Sequence, residues 1–245
     1  MEKFVNKCLV ITLALTVLFG GIAFLFRNFP HASEAGGEFS FPLLEYLDIE
    51  LQKLDVSIIP YDEDDITVEY KNDRPLDFEI GDNKLTITES NKFVVSLFSG
   101  KRSEFGVKIY LPKTVFRDIT MYTGTGSINI DNIDCAKLSA ITESGDISVK
   151  NMGYQAALST TSGNINLDVG YIVRGTSILN REGNIDLAVP KESSFSVDFQ
   201  TEDGECKTEL FNKQIHGDYL YSFNGGQKQI EVIAEHGTLN IKERK

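Results

Sequence analysis

The chain lacks the ingredients of most recognisable chemistries. Its three histidines, His31, His216 and His236, are scattered, and no motif pairs any of them with a serine or cysteine nucleophile. A P-loop, a dinucleotide fingerprint and a paired-cysteine zinc motif are all missing. So is the glycine-glycine-x-glycine-x-aspartate repeat of calcium-binding β-rolls. Tryptophan is absent, and proline is scarce at six residues in 245. Positive charge is in deficit: 24 lysines and arginines face 36 aspartates and glutamates, a net charge of −12. Such a surface repels phosphate backbones and argues against nucleic acid as a partner. Beyond residue 26 no segment sustains a helical period, which leaves an all-β chain. Hydrophobic residues still make up 41%, enough to bury a core.

What the chain does have is a glycine every 18 to 21 residues: Gly126, Gly145, Gly163, Gly183 and Gly204, resumed by Gly237 after a longer gap. Two residues after each glycine stand Ile128, Ile147, Ile165, Ile185, Cys206 and Leu239; two further on stand Ile130, Val149, Leu167, Leu187, Thr208 and Ile241. Polar residues lie between. Upstream, at minus five and minus seven, the alternation recurs through Met121, Ala140 and Leu158 and through Ile119, Leu138 and Ala156. Period two marks a strand with one buried face, and a repeat near twenty residues means stacked units. One short pair of strands cannot bury its apolar face alone, whereas stacking at about 4.8 Å per rung joins equivalent residues into columns. The predicted fold is therefore all-β, a stacked β-repeat of solenoid type, with a β-sandwich of successive hairpins as the rival. Glycine at each corner is expected to supply a positive φ.

The amino terminus reads differently. Residues 8 to 26 form a nineteen-residue run without charge, about 28 Å long as a helix and close to a bilayer's hydrocarbon thickness. Lys3 and Lys7 before it favour an amino terminus inside and a carboxyl terminus outside. A cleaved signal peptide is the alternative, although its apolar core is usually shorter. The predicted organisation is a short cytoplasmic segment at residues 1–7, a transmembrane helix at 8–26, a stalk at 27–45 and a β-repeat domain at 46–243. Cys8 falls in the apolar run. Cys206 falls in an inward column and Cys135 in a connection nearly four rungs away, about 18 Å by strand spacing. That exceeds the roughly 7 Å that a disulfide tolerates between α-carbons, so both are predicted to be free thiols.

Ahead of the repeats, residues 53–59 and 66–70 alternate around Asp62-Glu63-Asp64-Asp65 and read as a hairpin with an acidic turn. Phe78 to Ile80 and Leu85 to Thr88 flank a Gly-Asp-Asn turn and read as a second hairpin; Gly106 to Leu111 is a further strand, ended by Pro112. The segment from Leu54 to Pro60, Val107-Lys108-Ile109-Tyr110-Leu111-Pro112-Lys113, and the runs Thr-Glu-Ser-Gly-Asp-Ile-Ser-Val at 142–149 and Thr-Thr-Ser-Gly-Asn-Ile-Asn-Leu at 160–167 together resemble the bacterial "putative adhesin" β-strand-repeat family, a domain of unknown function. The resemblance spans roughly residues 47–243. It implies a stacked β-repeat domain in the cell envelope and no established activity; Arg181-Glu182-Gly183 and Glu202-Asp203-Gly204 depart from its serine-glycine form.

Two acidic features are candidates for function. The 62–65 run has oxygen ligands suited to calcium, but a solvated turn explains it as well. The second is the outward column Asn129, Ser148, Asn166 and Asp186, flanked by Asp146, Asn164 and Asn184, an amide-rich face suited to a glycan or protein partner. Asp146 and Asp186 lie two rungs apart, about 10 Å, with too little basic chemistry between them for a polysaccharide-cleaving site. The expected role is non-enzymatic, without cofactor or metal. It is an adhesin-like interaction with a protein or glycan at the cell membrane or, as the resemblance also suggests, a role as envelope-stress regulatory partner of a membrane protein, with a solenoid polysaccharide lyase or hydrolase as the enzymatic alternative.

Overall fold

The computed structural model describes residues 36–71, 75–90, 106–172, 175–210 and 213–244. The apolar run at 8–26, Cys8 and the first part of the predicted stalk lie outside the described residues. Among the described residues every regular element is a strand, and there is no helix long and apolar enough to cross a membrane. In chain order the strands are β1 (Gly36–Phe41), β2 (Tyr46–Leu51), β3 (Asp55–Tyr61), β4 (Ile66–Lys71), β5 (Leu76–Gly81), β6 (Lys84–Glu89), β7 (Gly106–Pro112), β8 (Phe116–Thr123), β9 (Ile128–Asp131), β10 (Cys135–Thr142) and β11 (Ile147–Met152). They continue as β12 (Gln155–Ser162), β13 (Ile165–Val169), β14 (Thr176–Glu182), β15 (Ile185–Val189), β16 (Phe195–Gln200), β17 (Glu205–Thr208), β18 (Lys213–His216), β19 (Tyr219–Phe223), β20 (Gln229–His236) and β21 (Thr238–Glu243).

These strands make two sheets with a shared core. Sheet A has eleven strands in the order β1-β4-β7-β3-β9-β11-β13-β15-β21-β17-β18. Sheet B has ten, in the order β19-β16-β20-β14-β12-β10-β8-β2-β6-β5. Each glycine corner carries the chain from a sheet B strand to a sheet A strand, so one repeat is one rung. Neighbouring rungs pair in parallel, and the expected columns hold: Ile147 lies beside Ile128 and Ile165, and Ile165 beside Ile185. On the other sheet Leu138 lies between Ile119 and Ala156, and Ala140 between Met121 and Leu158. Ile128, Ile147, Ile165 and Ile185 are all fully buried, while the residues alternating with them are partly or wholly exposed. Parallel pairing from rung to rung excludes the sandwich of successive hairpins, whose neighbours run antiparallel.

The ends of the stack depart from chain order. After β14/β15 the chain steps over one level to lay down β16/β17, turns back antiparallel through β18 and β19, and then inserts β20/β21 into the gap. Leu239 accordingly sits between Ile185 and Cys206, and Val232 between Ile178 and Phe199. Gly237's rung thus precedes Gly204's in space, reversing their order in sequence. The other end is built in the same way. β2/β3 forms a rung centred on Leu54 instead of glycine, β4 and β5 add antiparallel strands, and β6/β7 slides in between.

That insertion breaks one expected hairpin. β3 and β4 are not partners, because β7 lies between them, parallel to β3 through Ile58↔Ile109 and antiparallel to β4 through Val68↔Ile109. The acidic link passes the end of β7, where Lys113 reaches Asp62 at 2.7 Å. The β5/β6 hairpin does form, with Asp82 at φ 51° and Asn83 at φ 61°, the paired positive angles of a tight two-residue turn. β1 falls within the residues read as stalk, yet pairs along its whole length with β4.

The glycines have a different cause from the one expected. Gly126, Gly145, Gly163 and Gly204 do not have positive φ; of the corner glycines only Gly183 and Gly237 do, at 135° and 151°. What all six share is a backbone carbonyl where a Cβ would stand. At Gly145 the Gly126 oxygen would be 2.3 Å away, at Gly163 the Gly145 oxygen 2.1 Å, and at Gly183 the Gly163 oxygen 2.0 Å. The corners stack so closely that no side chain fits between them.

Candidate interaction face

Two hydrogen-bond ladders run through the central corners. On the inside, the residue three before the glycine donates to a carbonyl of the rung below: Thr142 Oγ1 to Gly126 O at 3.0 Å, Thr160 Oγ1 to Gly145 O at 3.0 Å, and Asn180 Nδ2 to Gly163 O at 2.9 Å. This satisfies the carbonyls that the bare glycines leave facing the core. On the outside, the residue after the glycine accepts from the next rung's backbone. Asn164 N–H donates to Asp146 Oδ1 at 2.7 Å, Asn184 N–H to Asn164 Oδ1 at 3.0 Å, and Thr238 N–H to Asn184 Oδ1 at 3.2 Å. The ladder starts earlier, with Ser127 N–H on Asp55 Oδ1 at 2.7 Å.

The seven candidate residues therefore divide by task. Asp146, Asn164 and Asn184 lie at the solvent edge of the corner, and their side-chain oxygens hold the stack together. Asn129, Ser148, Asn166 and Asp186 stand side by side on the outer surface of sheet A, one per rung. Asp146 and Asp186 fall on different columns, Asp146 in the corner before β11 and Asp186 on β15, with β13 between the two strands.

The column also runs further than the candidates named from sequence. Asn240 follows Asp186 and donates to its Oδ1 at 2.9 Å, and Lys207 follows Asn240. Next to it stand Asp131, Lys150, Asp168 and Lys242: Lys150 lies 3.8 Å from Asp131, Lys242 lies 3.7 Å from Asp186 in the first column, and Arg244, just past β21, lies 2.7 Å from Asp168. At the carboxyl-terminal end of the face Asp186, Lys207, Glu209, Gln214, Asn240 and Lys242 line an open groove. Lys207 and then Gln214 hold the neighbouring Glu205 carboxyl below its ordinary range. The signal for Lys207 and Asn240 was present in their offset of three from Gly204 and Gly237. Nothing in the repeat pointed to Gln214, which reaches the groove from β18.

The two described cysteines sit apart and inside. Cys206 occupies its predicted inward column on β17. Cys135 is the first residue of β10, beside Phe116, and is buried rather than placed in a connection. Both are free thiols. Burial pushes the Cys135 thiol up to about 12, helped by Asp134 and Asp118, and burial pushes Cys206 up to about 11.

Two parallel sheets that share one core and are joined by bare glycine corners define a class, the stacked β-repeat domain. The chain belongs to the family described as Toastrack DUF4097, whose model matches residues 113–242. No curated protein matches it. Among solved structures it resembles a "putative cell adhesion protein" from Clostridium sporogenes, at 17% identity over 85% of this chain and 100% of that one, with a TM-score of 0.52. It is also similar to a "putative adhesin" from Bacteroides fragilis, at 14% identity over 86% of this chain and 98% of that one, with a TM-score of 0.43. A "putative lipid binding protein" from Parabacteroides distasonis shares 12% identity over 87% and 98% of the two chains, with a TM-score of 0.34. The first of these likenesses shows the fold.

Proposed function

We propose that the protein is a non-enzymatic, adhesin-like binding protein of the cell envelope. Residues 8–26 anchor it in the membrane, and the β-repeat domain lies on the extracytoplasmic side. The outer face of sheet A holds a polar partner, a glycan or a protein surface. The observation that carries this reading is the groove where Asp186, Asn240, Lys207, Lys242 and Gln214 converge at one end of an aligned amide and hydroxyl column. Donors and acceptors fixed at rung spacing are pre-organised, so a ligand with repeating polar groups gains hydrogen bonds without ordering the protein. The uncharged run behind Lys3 and Lys7 supports the anchor and its orientation.

The test separates this face from the ladder that supports it. Alanine at Asn129, Asn166 and Lys207 leaves the corner hydrogen bonds intact. It should weaken attachment of the purified protein to cell-wall and capsular glycans or to intact cells. Unchanged attachment by a triple variant that melts like the parent would refute the assignment.

A further inference from the structure

The polar column on the outer surface of sheet A also continues past Asn129 in the other direction. It passes through Ser57 on β3 to Lys108 on β7, and two residues further along these strands Ile59 and Tyr110 stand side by side on the same surface. Tyr110 and Tyr61 are half-buried, with ring centroids 5.8 Å apart. Both hydroxyls are tied down: Tyr110 Oη donates to Glu69 Oε2 at 3.2 Å, and Tyr61 Oη to Asp65 Oδ1 at 2.7 Å. The surface therefore has a fixed aromatic platform on β7 and the Lys207 groove on β17. Seven strand steps separate them, about 34 Å by strand spacing.

Between these points every rung offers one hydrogen-bonding side chain, and the order has a period of its own. Asparagine recurs at every second rung, as Asn129, Asn166 and Asn240, about 10 Å apart, with Ser148 and Asp186 between them. No hydrogen bond engages the side chains of Asn129, Ser148 or Asn166, so their groups are free for a ligand. Asp131, Asp168 and Asp186 each face a cation, so the middle of the surface does not share the chain's excess of negative charge. It also lacks the apolar anchors on which protein partners depend. Among the described residues the exposed large hydrophobic side chains are Leu43, Val115, Ile141, Tyr171, Leu179 and Leu220, and none lies on a sheet A strand.

We propose that this surface binds one linear, uncharged polysaccharide bearing N-acetyl groups, laid across the strands from Tyr110 to Lys207 with one sugar per rung. In an extended chain of this kind each ring is about one rung long, and successive rings are turned over. The same edge therefore meets the protein at every second sugar, which is the period of the asparagines. Asn129 and Asn166 exchange hydrogen bonds with the acetamido groups, amide against amide, and Ser148 meets the hydroxyl edge between them. Tyr110 and Tyr61 stack against the apolar face of the sugar at one end. The inference rests on sheet A being the binding face and narrows its partner from a glycan or a protein to a glycan of this form.

Calorimetric titration of the full chain in detergent with linear N-acetylglucosamine oligosaccharides of increasing length tests it. Affinity should rise at least about 3-fold for each added pair of sugars. It should level off at about eight sugars, when the chain spans the seven steps from Tyr110 to Lys207. Cellulose oligosaccharides of equal length, with hydroxyls in place of the acetamido groups, should bind at least about 10-fold more weakly. Tyr110→Ala should cost the longest chains about 5-fold, and Tyr110→Phe, which restores the ring, should recover most of that loss. No binding, affinity independent of length, or equal affinity for the two series would each overturn the proposal. If the N129A/N166A/K207A protein loses attachment to cells while no oligosaccharide competes with the parent, the face still binds a partner and this assignment alone falls. If that variant attaches unchanged, both fall.

Discussion

Replacing Gly163 by alanine tests the cause assigned to the repeat itself. The new methyl would lie 2.1 Å from the Gly145 carbonyl oxygen and 2.7 Å from its carbon, both backbone atoms with no side-chain freedom to yield. Ordinary carbon–oxygen contacts begin near 3.3 Å, so the two corners must separate by about 1.2 Å. The Thr160 Oγ1 bond to Gly145 O, at 3.0 Å, and the Asn164 N–H bond to Asp146 Oδ1, at 2.7 Å, cannot survive that separation. Losing them costs about 2 kcal/mol and the overpacking about 2 more, while the stiffer unfolded chain returns about 1, for a net loss of about 3 kcal/mol. For a domain of this size that is a fall of roughly 6–12 °C in Tm, read by circular dichroism or calorimetry. Gly81→Ala is the control, because no atom lies within 4 Å of the position its Cβ would take, and it should leave Tm within about 2 °C. Gly163 does not have positive φ. A Gly163→Ala variant as stable as the parent, or more stable, would therefore show that the corner only needs a turn, and the close-approach argument would fail.

Other consequences follow from the ladders and the core. Thr160→Val keeps the shape but leaves the Gly145 carbonyl without its buried donor, and should cost about 1–3 kcal/mol in guanidinium titrations; no measurable change would mean that water replaces the hydroxyl. Cys135 and Cys206 have thiols pushed to about 12 and about 11 by burial. At pH 8 only ~10⁻³ or less of either is thiolate, so alkylation of these two should await denaturant, as peptide mapping would show. His236 is held above its ordinary 6.5 by its hydrogen bond to Asp203, then by the charges of Asp203, Glu202 and Glu235. A raised folded value means stabilisation that is complete below about pH 6 and lost as pH rises through the folded value, above 6.5. Tm should therefore drift down between about pH 6 and 8, and His236→Asn should flatten that drift.

The parts of the fold that were legible are those written locally and repeatedly. Ile128, Ile147, Ile165 and Ile185 fall in one buried column because period-two alternation sets the face and the glycine spacing sets the length of each rung. The rung centred on Leu54 is not marked by a glycine, although Leu47, Ile49, Val56 and Ile58 keep the same offsets around it. The β3–β4 hairpin was misread because pattern alone cannot register that a strand forty residues later will come between its arms. At the candidate face, offset in the repeat told which residues point outward. It did not tell that Asp146, Asn164 and Asn184 have their side-chain oxygens committed to the next rung's backbone, since that depends on distances between rungs.

From its residues alone this chain set the all-β class, the inward and outward columns and the two free thiols, because alternation and glycine spacing act through neighbours along the chain. Tertiary structure alone set the order of the terminal rungs, with Gly237's level placed inside Gly204's, and the division of the polar residues into a ladder and an open face. The physical reason is that rungs of equal apolar pattern are interchangeable partners in a stack. Only the antiparallel returns through β4 and β5 at one end, and β18 and β19 at the other, select which of them meet.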